Sequence, residues 1–102
     1  MPKQPVAERA SRVFKETPRY AAACKAFGLR VRQLRDERAW TLEAAAAAMD
    51  IDLKHLQKVE AGQLNLTMVT ILRIADGFDV APESLFAGIP VRSRRKARAK
   101  VG

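Results

Sequence analysis

The chain has 102 residues, 48% of them hydrophobic, with 19 basic against 11 acidic side chains and a formal charge of +8. That length supports one domain with one modest core, and no run suits a membrane span or a secretory leader. One cysteine (Cys24) and one histidine (His55) exclude an internal disulfide and a zinc set, and no phosphate loop or nucleophile elbow is present, so no cofactor, no metal and no enzyme activity is expected.

Val6, Ala10, Val13 and Phe14 recur at helical spacing, with Pro2, Pro5 and Pro18 around them. Residues 1–18 therefore read as an N-terminal arm or an extra short helix: a frayed end, a helix packed on its own protomer, or a dimerisation arm. Thr17-Pro18 is a helix start, a cap followed by proline at the first helical position. Tyr20, Cys24, Phe27, Val31 and Leu34 then form one apolar stripe to about Arg38. Gly28 is the expected weak point of this helix. Cys24 reads as a core residue rather than a reactive thiol, and Leu29 falls off the stripe.

Trp40 is expected to be the largest core side chain, filling space left by Ala44, Ala45 and Ala48. Thr41 caps a second helix from Leu42 to Met49, nearly all alanine, with Glu43 in its first turn. Asp50-Ile51-Asp52 interrupts it. Asp50 suits a left-handed turn, Ile51 an apolar lock between two helices, and Asp52 a second cap. A third helix runs from about Leu53 to Ala61 with Leu56 and Val59 inward, and Gly62 ends it.

After the loop QLNL, Thr67 caps a fourth helix. Its stripe is Met68, Ile71, Leu72, Ala75 and Phe78, and it ends near Gly77–Asp79. Val80 packs back inward. Pro82 opens a short fifth helix, PESLF, and Ile89 and Val91 continue an apolar extended segment. The fold class is all-α with five helices, the apolar stripe of the first reaching about two turns upstream of Phe27.

Charge divides the chain as sharply as periodicity does. Residues 1–18 carry +2, residues 19–91 balance nine basic against nine acidic side chains, and residues 92–102 carry +6. We read 1–18 as the arm or short helix, 19–91 as the folded domain and 92–102 as a basic disordered tail, suited to nucleic acid, less often to an anionic membrane surface, or simply solubilising.

Two short helices joined by a tight turn over residues 41–62 have the layout of a helix-turn-helix. With FGLRVRQLRDERAWTLEAAAAAMDID, LKHLQKVEAG and LTMVTILRIADGFDVAPESLF, residues 27–86 resemble the lambda-repressor-like (Cro/XRE) helix-turn-helix domain. The resemblance implies base contacts from Leu53, Lys54, Gln57 and Lys58 on the third helix. Lysine can donate to guanine, glutamine can pair with adenine, and leucine can touch a thymine methyl. Phosphate contacts are expected from Thr41 and Leu42 at the second helix's N-terminus, from Gln63 and Asn65 in the loop after the third helix and, on charge alone, from Arg92, Arg94, Arg95 and Lys96 in the tail.

Arg35 and Glu60 occupy the positions of a structural ion pair in this family, and His55 is read as structural. The chain departs from the family pattern where Leu42 replaces a phosphate-binding glutamine and Asp50 a turn glycine. The expected function is a sequence-specific DNA-binding transcriptional regulator, cytoplasmic and nucleoid-associated, with double-stranded DNA and a second copy of itself as partners and no membrane. The dimer surface would be Leu85, Phe86, Ile89 and Val91. Two alternatives remain: a protein-interaction module such as an antitoxin or regulator antagonist, with Leu42, Leu53 and the turn acids facing a protein partner, and a non-specific nucleoid binder.

Overall fold

A computed structural model describes residues 12–63 and 66–90. Among them the chain is all-α, without a strand. The helices are α1 (Pro18–Glu37), α2 (Leu42–Met49), α3 (Leu53–Glu60) and α4 (Met68–Phe78), followed by a short 3-10 helix, η1 (Pro82–Phe86). Residues 12–15 add one helical turn ahead of α1, where Val13 and Phe14 are more than half exposed. Val6 and Ala10 lie outside the described residues.

Each α-helix begins on a side-chain oxygen that accepts an amide of its first turn. Thr17 takes Tyr20 N, Thr41 takes Ala44 N, Asp52 takes Lys54 N and Thr67 takes Thr70 N. Such a cap is typically worth about 1 kcal/mol.

The helices also stop alike. Ala39, Asp50, Gly62 and Asp79 all have φ between 54° and 74°. In each case the following amide reaches back across the last turn: Trp40 N to Arg35 O (3.2 Å), Ile51 N to Ala46 O (3.1 Å), Gln63 N to Lys58 O (2.9 Å) and Val80 N to Ala75 O (3.0 Å). Trp40, Ile51 and Val80 then pack on the core. This pairing of a left-handed residue with an apolar successor completes the carbonyl accounting of a helix end. A left-handed alanine costs about 1–2 kcal/mol, so packing of Trp40 must offset strain at Ala39.

α1 packs across α3 and η1, α2 against α3 and α4, and α4 closes on η1. Phe78, Met49, Leu56, Ile74, Leu85 and Val31 are the largest completely buried side chains. Trp40, expected to be the largest, is instead half-buried at the rim. It stacks on Phe78 with ring centres 5.8 Å apart and planes 19° from parallel. The reason is Arg38, whose guanidinium lies 5.0 Å from the Phe78 ring and 5.8 Å from the Trp40 ring. Arg38 also donates to Leu34 O and Phe78 O, closing the ends of α1 and α4. A charged group in that position keeps the stack at the edge of the core.

Three more expectations are corrected. On α2 the inward residues are Ala45, Ala46 and Met49, while Ala44 and Ala48 face solvent. An alanine run has no contrast between faces for periodicity to detect. On α4 the buried set is Thr70, Ile74, Ala75 and Phe78, and Met68 and Leu72 are 67% and 43% exposed. Both sets keep helical spacing, and packing against α2 selects between them.

Gly28 is buried, and it is a close approach rather than a weak point. A Cβ there would lie 2.7 Å from Glu60 O and closer still to Val59 O. Cys24 is a half-buried free thiol. It lines an apolar cleft of about 150 Å³ with Tyr20, Phe27, Ile71, Phe86 and Ile89. Burial, and then a hydrogen bond with Cys24, push the Tyr20 phenol's pKa up.

Candidate nucleic-acid interface

α3 is eight residues long and two-faced. Leu56 and Val59 are buried on one side. On the other, Lys54, Gln57 and Lys58 are exposed and, with Ala61 and Gln63, line one shallow depression. The spacing i, i+3, i+4 is what brings the three polar side chains to one face. Leu53 is half-buried and packs on the core, and His55 is half-buried as well.

Three connections hold this face in place. The turn from α2 to α3 is only three residues, pinned by Ile51 on the core and by the Asp52 cap on Lys54 N at 3.2 Å. Arg73 on α4 donates to Asp50 O at 3.0 Å, which brings a cation to the turn that carries Asp50 and Asp52. Nothing in the sequence pattern singles out Arg73, because only tertiary packing brings α4 to this turn.

The third connection is Arg35 on α1, which forks onto Glu60. Its Nε is 2.7 Å from Oε2 and its Nη2 is 3.0 Å from Oε1. A further bond from Nη1 reaches Trp40 O at 3.0 Å. The two side chains are only 13% and 10% exposed. Hydrogen bonding to Glu60 outweighs burial and pushes the guanidinium's pKa above its ordinary value.

A short helix pair with one face buried and the other polar is found in many folds, so comparison decides. Residues 26–87 match the profile of the helix-turn-helix domain, about three fifths of the chain. The chain belongs to the helix-turn-helix domain family. Its type is lambda-repressor-like, and the domain and its structural neighbours together support a DNA-binding regulator.

Among solved structures, the chain is similar to the restriction-modification controller protein C.AhdI from Aeromonas hydrophila. The two are 35% identical with a TM-score of 0.60, and the match covers 62% of this chain and 96% of that one. It also shares its fold with a hypothetical transcription factor, NHTF, from Neisseria. There the TM-score is 0.62 at 19% identity, over 82% of this chain and 92% of that one. A search of curated proteins returns no match.

Within this helix-turn-helix, α2 and α3 are its two helices. Thr41 is exposed, and its Oγ1 is engaged by Ala44 N at 3.0 Å. Leu42 is half-buried and packs on the core, so its backbone amide rather than its side chain is available to an anion. Gln63 is exposed at the end of the depression. Asn65, Arg92, Arg94, Arg95 and Lys96 lie outside the described residues.

Leu85 is corrected as a dimer contact: it is 0% exposed inside its own protomer and offers nothing to a second chain. Phe86 is 41% exposed, Ile89 is half-buried against the core, and Val91 lies outside the described residues. Among the described residues no group of side chains could hold a metal ion, and no helix is long and apolar enough to cross a membrane.

Proposed function

We propose that this DNA-binding regulator is sequence-specific and acts as a homodimer, with α3 in the major groove. The outward face of α3 carries the reading: Lys54, Gln57 and Lys58 stand together, exposed, on a helix whose other side is locked into the core. Lysine and glutamine have the donors and acceptors that distinguish guanine and adenine edges. Leu53 contributes at most an apolar edge, since it packs inward. Similarity to a restriction-modification controller protein is in keeping with a regulatory role.

Replacing Lys54 or Gln57 by alanine should cost about 1–3 kcal/mol on the preferred site and little on scrambled DNA. Binding to labelled duplexes of each kind measures this. Equal weakening on both would remove these residues from base reading.

One α3 buries too little to discriminate well, and two copies on a symmetric site answer that. Leu85 is enclosed, but α4 and η1 still expose Met68, Val69, Leu72 and Phe86, and α4 packs on η1; Val13, Phe14 and Leu29 are exposed elsewhere among the described residues. We assign the dimer surface to the exposed residues of α4 and η1. Selection from random duplexes should recover an inverted repeat with half-sites about 34 Å apart, and Val69→Glu should leave a folded monomer in sedimentation. A wild-type chain that stays monomeric on DNA would rule the dimer out. The interaction-module alternative needs Leu42, Leu53 and the turn acids to face a protein; Asp50 and Asp52 are exposed, but Leu42 and Leu53 pack on the protein's own core.

A further inference from the structure

We propose that Lys25 is a DNA-phosphate contact that clamps the duplex beside the C-terminal end of α3; the inference rests on α3 being the major-groove helix. Lys25 precedes the matched residues 26–87 and belongs to the upstream part of α1.

Its position follows from Gly62, which has φ +74° and ends α3. A Cβ on Gly62 would lie 3.0 Å from Lys25 Cα, 3.1 Å from its amide nitrogen and 3.2 Å from its Cγ. The lysine stem therefore crosses the loop at the one residue that has no side chain. Gly62 is flanked by Ala61 and Gln63, and both line the depression that holds Lys54, Gln57 and Lys58. Lys25 thus starts at the rim of the surface assigned to DNA.

Its charge is also uncommitted. Lys25 is exposed, and no ion pair among the described residues includes it. The other cations of this helix and its cap are engaged. Arg19 bonds Pro90 O, Arg30 bonds Ser84 O, Arg35 bonds Glu60, Arg38 bonds Phe78 O, and Arg32 lies 3.9 Å from Asp36. Lys25 is therefore the cation of α1 that joins an open charge to a place beside α3. Lysine meets phosphate as a point charge, and such a contact sets register without reading sequence.

The test is the dependence of log K on log salt for the full chain, on the selected site and on scrambled duplex. Lys25→Gln should flatten the slope by about 0.9 per protomer. It should weaken both duplexes by the same factor and leave the thermal midpoint unchanged. Lys25→Arg should keep the wild-type slope. An unchanged slope in Lys25→Gln, with or without a lowered midpoint, overturns the proposal and leaves Lys25 as packing for the loop. Loss confined to the selected site would make Lys25 a base reader and overturns it too. A wild-type chain that binds neither duplex overturns the reading of α3 together with it, so the wild-type measurement separates the two failures.

Discussion

Gly28→Ala should destabilise the domain by about 3 kcal/mol, near the top of the usual range for an overpacked site. The thermal midpoint should fall by about 15 °C. Helix propensity alone predicts the opposite sign, a gain of about 1 kcal/mol, because alanine is the better helix former. Packing decides the outcome. The added methyl would meet the carbonyl oxygens of Val59 and Glu60, which are backbone atoms and cannot rotate away. Relief would require α1 and the end of α3 to separate, tilting the face that carries Lys54, Gln57 and Lys58, so DNA affinity should fall as well. Gly88→Ala is the control, since a Cβ there meets Ala26 only at ordinary contact distances of 3.7 and 3.8 Å. Urea unfolding of both variants measures the difference. A Gly28→Ala midpoint at or above wild type would refute the close approach of α1 and α3.

Removing one member of the Arg35–Glu60 pair should cost about as much. Arg35→Met leaves the Glu60 carboxylate, 10% exposed, without its bidentate partner. Glu60→Leu leaves a guanidinium with Trp40 O and a distant Asp36. Each single change should cost about 3 kcal/mol, the lower end for breaking a buried pair, because both groups keep some contact with water. The double variant should cost much less than the sum, since neither charge is then left stranded. Arg32→Ala is the contrast: Arg32 and Asp36 are 63% and 62% exposed and 3.9 Å apart, so its loss should change stability by less than about 0.5 kcal/mol. Additive costs in the double variant would show that the pair contributes nothing by coupling.

What the sequence determined by itself is the set of features made within a few residues of chain. The four caps at Thr17, Thr41, Asp52 and Thr67 were legible because each acts on an amide two or three residues away. The turn at Asp50, the stop at Gly62 and the strong stripe of Phe27, Val31 and Leu34 were legible for the same reason. Spacing and family resemblance also placed Lys54, Gln57 and Lys58 on one helix face. Tertiary structure decided what depends on a partner element. The face of α4 was ambiguous because apolar residues occur in two phases, and only contact with α2 buries Ile74 and exposes Met68 and Leu72. Trp40 went to the rim because Arg38 spans two helix ends. Arg73 and Lys25 carry no local signal at all, and the one local signal of Gly28, weak helix propensity, has the wrong sign. Their importance comes from atoms 23 to 37 residues away in the chain, brought close by packing.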